Sequence, residues 1–212
     1  LRALSRQESL SAVVKAGGHA AVIAAGPWLF TIFSLAAITA FTEAIAGHAA
    51  LATFRAVIIY AFATSLVLTA PITIVATRLL ADHLWRRDTA DVPALFIAGL
   101  LLALATVAPG VAALVLYFDV PARLALALYG ATSIVAMIWV ALAFCGAVRD
   151  YKAITYAFLT GLFIAVAGAT ALALTGLGPT GMTWGFVTGL AVTFLGLTFS
   201  VLATFPAPVL RP

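Results

Sequence analysis

Six stretches of this chain, residues 17–44, 54–81, 93–117, 124–148, 153–175 and 181–205, are each long and apolar enough to cross a lipid bilayer. Crossing about 30 Å of hydrocarbon takes roughly 20 apolar residues at ~1.5 Å each. Lipid offers no hydrogen-bond partners, so a spanning segment must satisfy its backbone internally and is predicted as helix. The connections are short, which makes consecutive helices antiparallel neighbours. The predicted fold class is therefore all-α: a polytopic membrane protein with a bundle of six transmembrane helices. Residues 1–16 precede this bundle and residues 206–212 follow it as a tail or linker.

Composition excludes the soluble alternative. Of the 212 residues 65% are hydrophobic and 8% charged, against about 45–50% and about 25% in an ordinary soluble domain. With a mean hydropathy of +1.19, too few polar residues remain to coat a water-facing surface. The net charge of +4 does not indicate nucleic acid, because the basic residues are not gathered with aromatics on one face. They fall in alternate gaps between the apolar runs. Arg2, Arg6, Lys15, Arg78, Arg86, Arg87, Arg149, Lys152 and Arg211 collect on one side, and Arg55 and Arg123 on the other. The positive-inside rule makes the first side cytoplasmic and puts both ends there. Leu1 to Ala16, with Arg2, Arg6 and Lys15 among apolar residues, suits a helix lying in the cytoplasmic interface. Because the first residue is leucine, the chain is read as a fragment.

The spans carry devices for packing and bending. Pro27, Pro71 and Pro109 fall inside three of them, each removing a backbone hydrogen bond. Gly181, Gly185, Gly189 and Gly196 in the sixth span, and Gly161, Ala165 and Gly168 in the fifth, place small residues where another helix can approach closely.

Catalytic chemistry is hard to find. No nucleophile–base pair or paired carboxylates stand out, and the acidic residues lie in loops or at helix ends. Asp82 beside His83 and Asp150 beside Arg149 read as capping or pairing residues. His19, His48 and His83 lack the helical spacing of a metal site, and the lone Cys145 allows no internal disulfide. No cofactor or metal is expected, and no enzymatic role.

The second span is the most informative. Ser65, Thr69, Thr73 and Thr77 advance by about 40° at each step, so their hydroxyls form a slanted stripe that also takes in Arg55. Val57, Leu68, Ile72, Val75 and Leu79 occupy another sector and are expected to face lipid. A hydroxylated stripe ending in a cation suits a hydrated path for a sugar or phosphate-bearing substrate; the competing reading is that the hydroxyls bond back to their own helix. Trp28, Trp139, Tyr60 and Tyr129 offer rings for stacking on saccharides or for packing.

These residues carry a family resemblance. Gly26-Pro27-Trp28, Phe54-Arg55, Tyr60-Ala61-Phe62, Ser65-Leu66, Pro71, Thr77-Arg78-Leu79 and Ala81-Asp82 resemble the opening of PelG-type exopolysaccharide exporters. Trp139 ahead of Gly146-Ala147-Val148-Arg149-Asp150-Tyr151, and Trp184-Gly185-Phe186 with Gly189, continue the likeness over nearly the whole chain. That family resembles the multidrug, oligosaccharidyl-lipid and polysaccharide flippases, with two six-helix lobes and alternating access. The resemblance implies that this chain is the amino-terminal lobe of a transporter in the bacterial inner membrane. Its substrate would be an exopolysaccharide of the kind that builds biofilms, or a lipid-linked precursor. A cytoplasmic glycosyltransferase and small membrane subunits would be its partners. Carried onto these residues, Trp28, Arg55, Ser65, Thr69, Thr73 and Thr77 would meet substrate, and Arg78 with Asp82 would form a gate or a structural pair. The alternative is a membrane scaffold that holds a synthase complex through its glycine-faced spans and transports nothing.

Overall fold

A computed structural model describes residues 10–148 and 151–205, with side chains described for residues 29–147, Lys152 and 154–205. Regular structure among them is helical throughout: α1 (Leu10–Arg86), α2 (Val92–Phe118), α3 (Ala122–Val148), α4 (Tyr151–Ala173) and α5 (Gly178–Thr204). All five are long and apolar enough to cross a membrane. The tail at residues 206–212, and the first nine residues of the expected interfacial segment, lie outside the described residues. From Leu10 the chain already belongs to α1.

The last four helices follow the apolar runs to within about three residues at each end. The first two runs do not appear as separate helices. Residues 45–53, expected as a loop, are helical except for Gly47, whose φ of 76° and ψ of 159° interrupt α1. An alanine-rich stretch favours helix wherever a glycine does not break it. α1 is nonetheless not straight. A straight helix would hold Phe30 and Phe54 roughly 36 Å apart. Both rings instead pack on Phe186, with centroids at 6.0 and 5.9 Å. The chain therefore doubles back at Gly47 into two arms, residues 10–46 and 48–86, with Glu43 and His48 paired at 3.2 Å beside the turn.

Between helices in lipid there is little hydrophobic driving force, because acyl chains are as apolar as leucine. What holds the bundle is close packing, and it varies between seams. α4 and α5 share the most extensive interface. A Cβ added to Gly185 would lie 2.3 Å from the backbone of Gly168, and one on Gly189 2.4 Å from the Ala165 nitrogen. The small residues of the two spans thus interlock with each other, backbone against backbone. Thr193 adds a bond across the seam, its hydroxyl donating to the Ala157 carbonyl at 3.4 Å. α3 lies centrally: Gly130 receives the Trp184 ring of α5, and Phe144 meets Phe96 of α2 at 5.1 Å. Phe30 also meets Phe158 of α4 at 5.6 Å, so the arms of α1 close round an aromatic centre.

Candidate functional site

The second arm of α1 brings the predicted stripe into a graded environment. Ser65 and Thr69 are fully buried, while Thr73 and Thr77 are half-buried. Every hydroxyl donates to a carbonyl of its own helix: Ser65 to Phe62 at 2.9 Å, Thr69 to Ser65 at 2.8 Å, Thr73 to Ala70 at 2.9 Å and Thr77 to Thr73 at 2.7 Å. In an apolar surrounding this is the nearest acceptor a Ser or Thr can reach. The donors are thereby occupied, and the oxygens keep acceptor capacity. Ser65 uses some of it, accepting the indole N–H of Trp139 on α3 at 3.2 Å. Sequence reasoning placed Trp139 among packing or stacking residues and missed this pairing. The available signal was an indole donor in an otherwise apolar run, which needs an acceptor when buried.

Arg55 is half-buried, and its Nε donates to the Leu51 carbonyl at 3.3 Å. It lies roughly 15 Å along the helix from Ser65. Arg78 and Asp82 form an exposed pair at 3.6 Å, apart from the buried part of the stripe. His83 contacts the Asp88 carbonyl through Nδ1 at 3.1 Å. The side chain of Trp28, and Arg149 with Asp150, lie outside the described residues.

The sector expected to face lipid divides. Val75 and Leu79 are exposed, but Val57 and Ile72 are buried in the core and Leu68 is half-buried. Hydropathy identifies apolar residues without saying whether lipid or another helix covers them. In this arm the cover comes from the neighbouring helices.

Two cavities follow the seam between the second arm and α2. One, of about 600 Å³, is lined by residues including Tyr60, Thr64, Val67, Gly110 and Tyr117. The other, of about 340 Å³, is lined by residues including Pro71, Val75, Leu79, Leu95 and Leu102. Leu68 against Gly110 narrows the seam: a Cβ on Gly110 would lie 2.5 Å from Leu68 Cδ1. None of the four stripe hydroxyl residues lines either cavity.

With this arrangement in view, the sequence matches the PelG family, described as "Putative exopolysaccharide Exporter (EPS-E)", over residues 1–211. The chain belongs to the PelG family. The match covers the helical bundle and both flanks, and it identifies a multi-pass membrane protein of an exopolysaccharide-exporting family. No curated protein and no solved structure matches the chain. In this PelG chain Ser65 and Thr69 are buried inward, while Ile32, Phe33, Val67, Ile74 and Phe163 are exposed on the outside of the bundle.

Proposed function

We propose that this chain is the amino-terminal lobe of an inner-membrane transporter that moves an exopolysaccharide, or its lipid-linked precursor, out of the cytoplasm by alternating access. The two arms of α1 count as two crossings, giving six spans with both ends cytoplasmic. The match to an exopolysaccharide exporter family over residues 1–211 carries this reading. In it, Trp28 and the half-buried Arg55, Thr73 and Thr77 of the first two spans meet the saccharide. Ser65 and Thr69 support that face from behind through their bonds to the helix and to Trp139. Arg78 and Asp82 close the cytoplasmic end as a pair that opens and re-forms. A cytoplasmic glycosyltransferase supplies polymer, with small membrane subunits alongside.

The scaffold reading drew on the glycine faces of α4 and α5 as surfaces for partner helices. Those faces are occupied by each other, so that support is gone. Arg55→Leu and Thr73→Leu in the complete protein, produced in cells lacking their own copy, should each cut secreted polymer severalfold at unchanged membrane levels. Normal secretion from both variants would remove the site assignment.

A further inference from the structure

A third cavity, of about 520 Å³, opens between the start of α4 and the end of α5, at the membrane face where α3 passes into α4. Its volume lies in the range of small-molecule sites. Its walls include Tyr156 and Thr160 from α4, and Gly196, Phe199, Ser200 and Thr204 from α5. It exists because the residues at its floor are small: a Cβ on Gly196 would already lie 3.0 Å from the Ala157 Cβ. Tyr156 of α4 and Phe199 of α5, which line the cavity from its two helices, are 68% and 76% exposed.

Polarity is graded along this cavity. Thr204, at the last residue of α5, marks the membrane surface, and Val192 the deep end. The distance between them is roughly 18 Å of helix, close to one leaflet of an about 30 Å hydrocarbon core. On α4 the exposed Lys152, Tyr156 and Thr160 follow one another at four-residue spacing. That spacing puts an ammonium, a phenol and a hydroxyl on one line from the surface inward. Beyond them the lining is Gly196 and Val192. Lys152 stands one helical turn beyond the lining, next to Tyr156 on the same face of α4, and no cation lines any of the three cavities.

We propose that this cavity binds one glycerophospholipid with an anionic head. The phosphate lies against Lys152 and the Tyr156 hydroxyl, the glycerol ester carbonyls accept from Thr160, and an acyl chain follows Gly196 to Val192 between the rings of Tyr156 and Phe199. The shape matches a lipid standing in its own leaflet, with its charge at the surface and its chain in the slot. Arg86 and Arg87, at the same membrane face, add attraction for anionic lipid. The site is independent of what the lobe exports.

The test is the binding of phosphatidylglycerol to the detergent-purified full-length protein, followed by native mass spectrometry and by the rise in melting temperature. Phosphatidylcholine and inorganic phosphate serve as competing ligands. Phosphatidylglycerol should bind and stabilise, phosphatidylcholine should do so more weakly, and inorganic phosphate should have no effect. Lys152→Gln should weaken phosphatidylglycerol binding by about fivefold, and Lys152→Arg should retain it. Thr160→Phe should block it by filling the slot. Both positions are exposed, so the lipid-free melting temperature serves as the control for folding. Equal stabilisation by phosphatidylcholine, an equal effect of inorganic phosphate, or undiminished binding in Lys152→Gln or Thr160→Phe would overturn the proposal.

Discussion

Gly47 stands at φ 76° and ψ 159°, a region of backbone space open essentially to glycine alone. Nothing lies within 4 Å of where its Cβ would be, so any cost of substitution there is conformational. Gly47→Ala should destabilise by about 1–3 kcal/mol, whereas Gly146→Ala, equally uncrowded but helical, should be neutral or stabilise by up to about 1 kcal/mol. Thermal melting in detergent separates the two, and equal effects would show that the reversal does not depend on this residue. The Ser65–Trp139 bond makes a second test. Interhelical hydrogen bonds in membranes average about 0.6 kcal/mol and reach about 1.7. Ser65→Ala and Trp139→Phe should each lower stability on that scale, and the double variant should lose less than the two effects combined. Strict additivity would show that the indole and the hydroxyl do not interact.

At the scale of elements, the α4–α5 seam is the most sharply specified. At Gly185 and Gly189 the obstructing atoms belong to the backbone of α4, which cannot step aside. At Gly110 the obstruction is the flexible end of Leu68. Gly185→Ala and Gly189→Ala should therefore each cost about 1–3 kcal/mol by overpacking, and Gly110→Ala much less. A comparable loss at Gly110 in melting curves would contradict this ordering. These elements also mark what could be read from the sequence. The apolar runs located α2 to α5, and glycine spacing picked out the faces of α4 and α5, because both signals are local. Residues 45–53 were misjudged because a drop in hydropathy marks water without marking the end of a helix. The stripe was legible as an angle on a helical wheel, but its depth was not. Which neighbour covers Ser65 or Val57 depends on residues 74 or more positions away, as Trp139 shows, and periodicity carries no such information.

For the whole molecule, the doubled α1 decides how the chain is threaded. If each arm crosses the bilayer, His48, Asp119 and Thr175 lie at one face and Asp88 at the other. Single cysteines at these four positions, in a Cys145→Ala background, should react with a membrane-impermeant thiol reagent from one side for the first three and from the opposite side for Asp88→Cys. Labelling of His48→Cys from the same side as Asp88→Cys would refute six crossings. The glycine interlock of α4 and α5 bears on mechanics as well. Two rods whose backbones are socketed into each other have no plane along which to slip, since any axial shift lifts each glycine against the next side chain. In the alternating-access reading proposed above they move as a single stiff column, and any deformation falls at the other joints of the bundle.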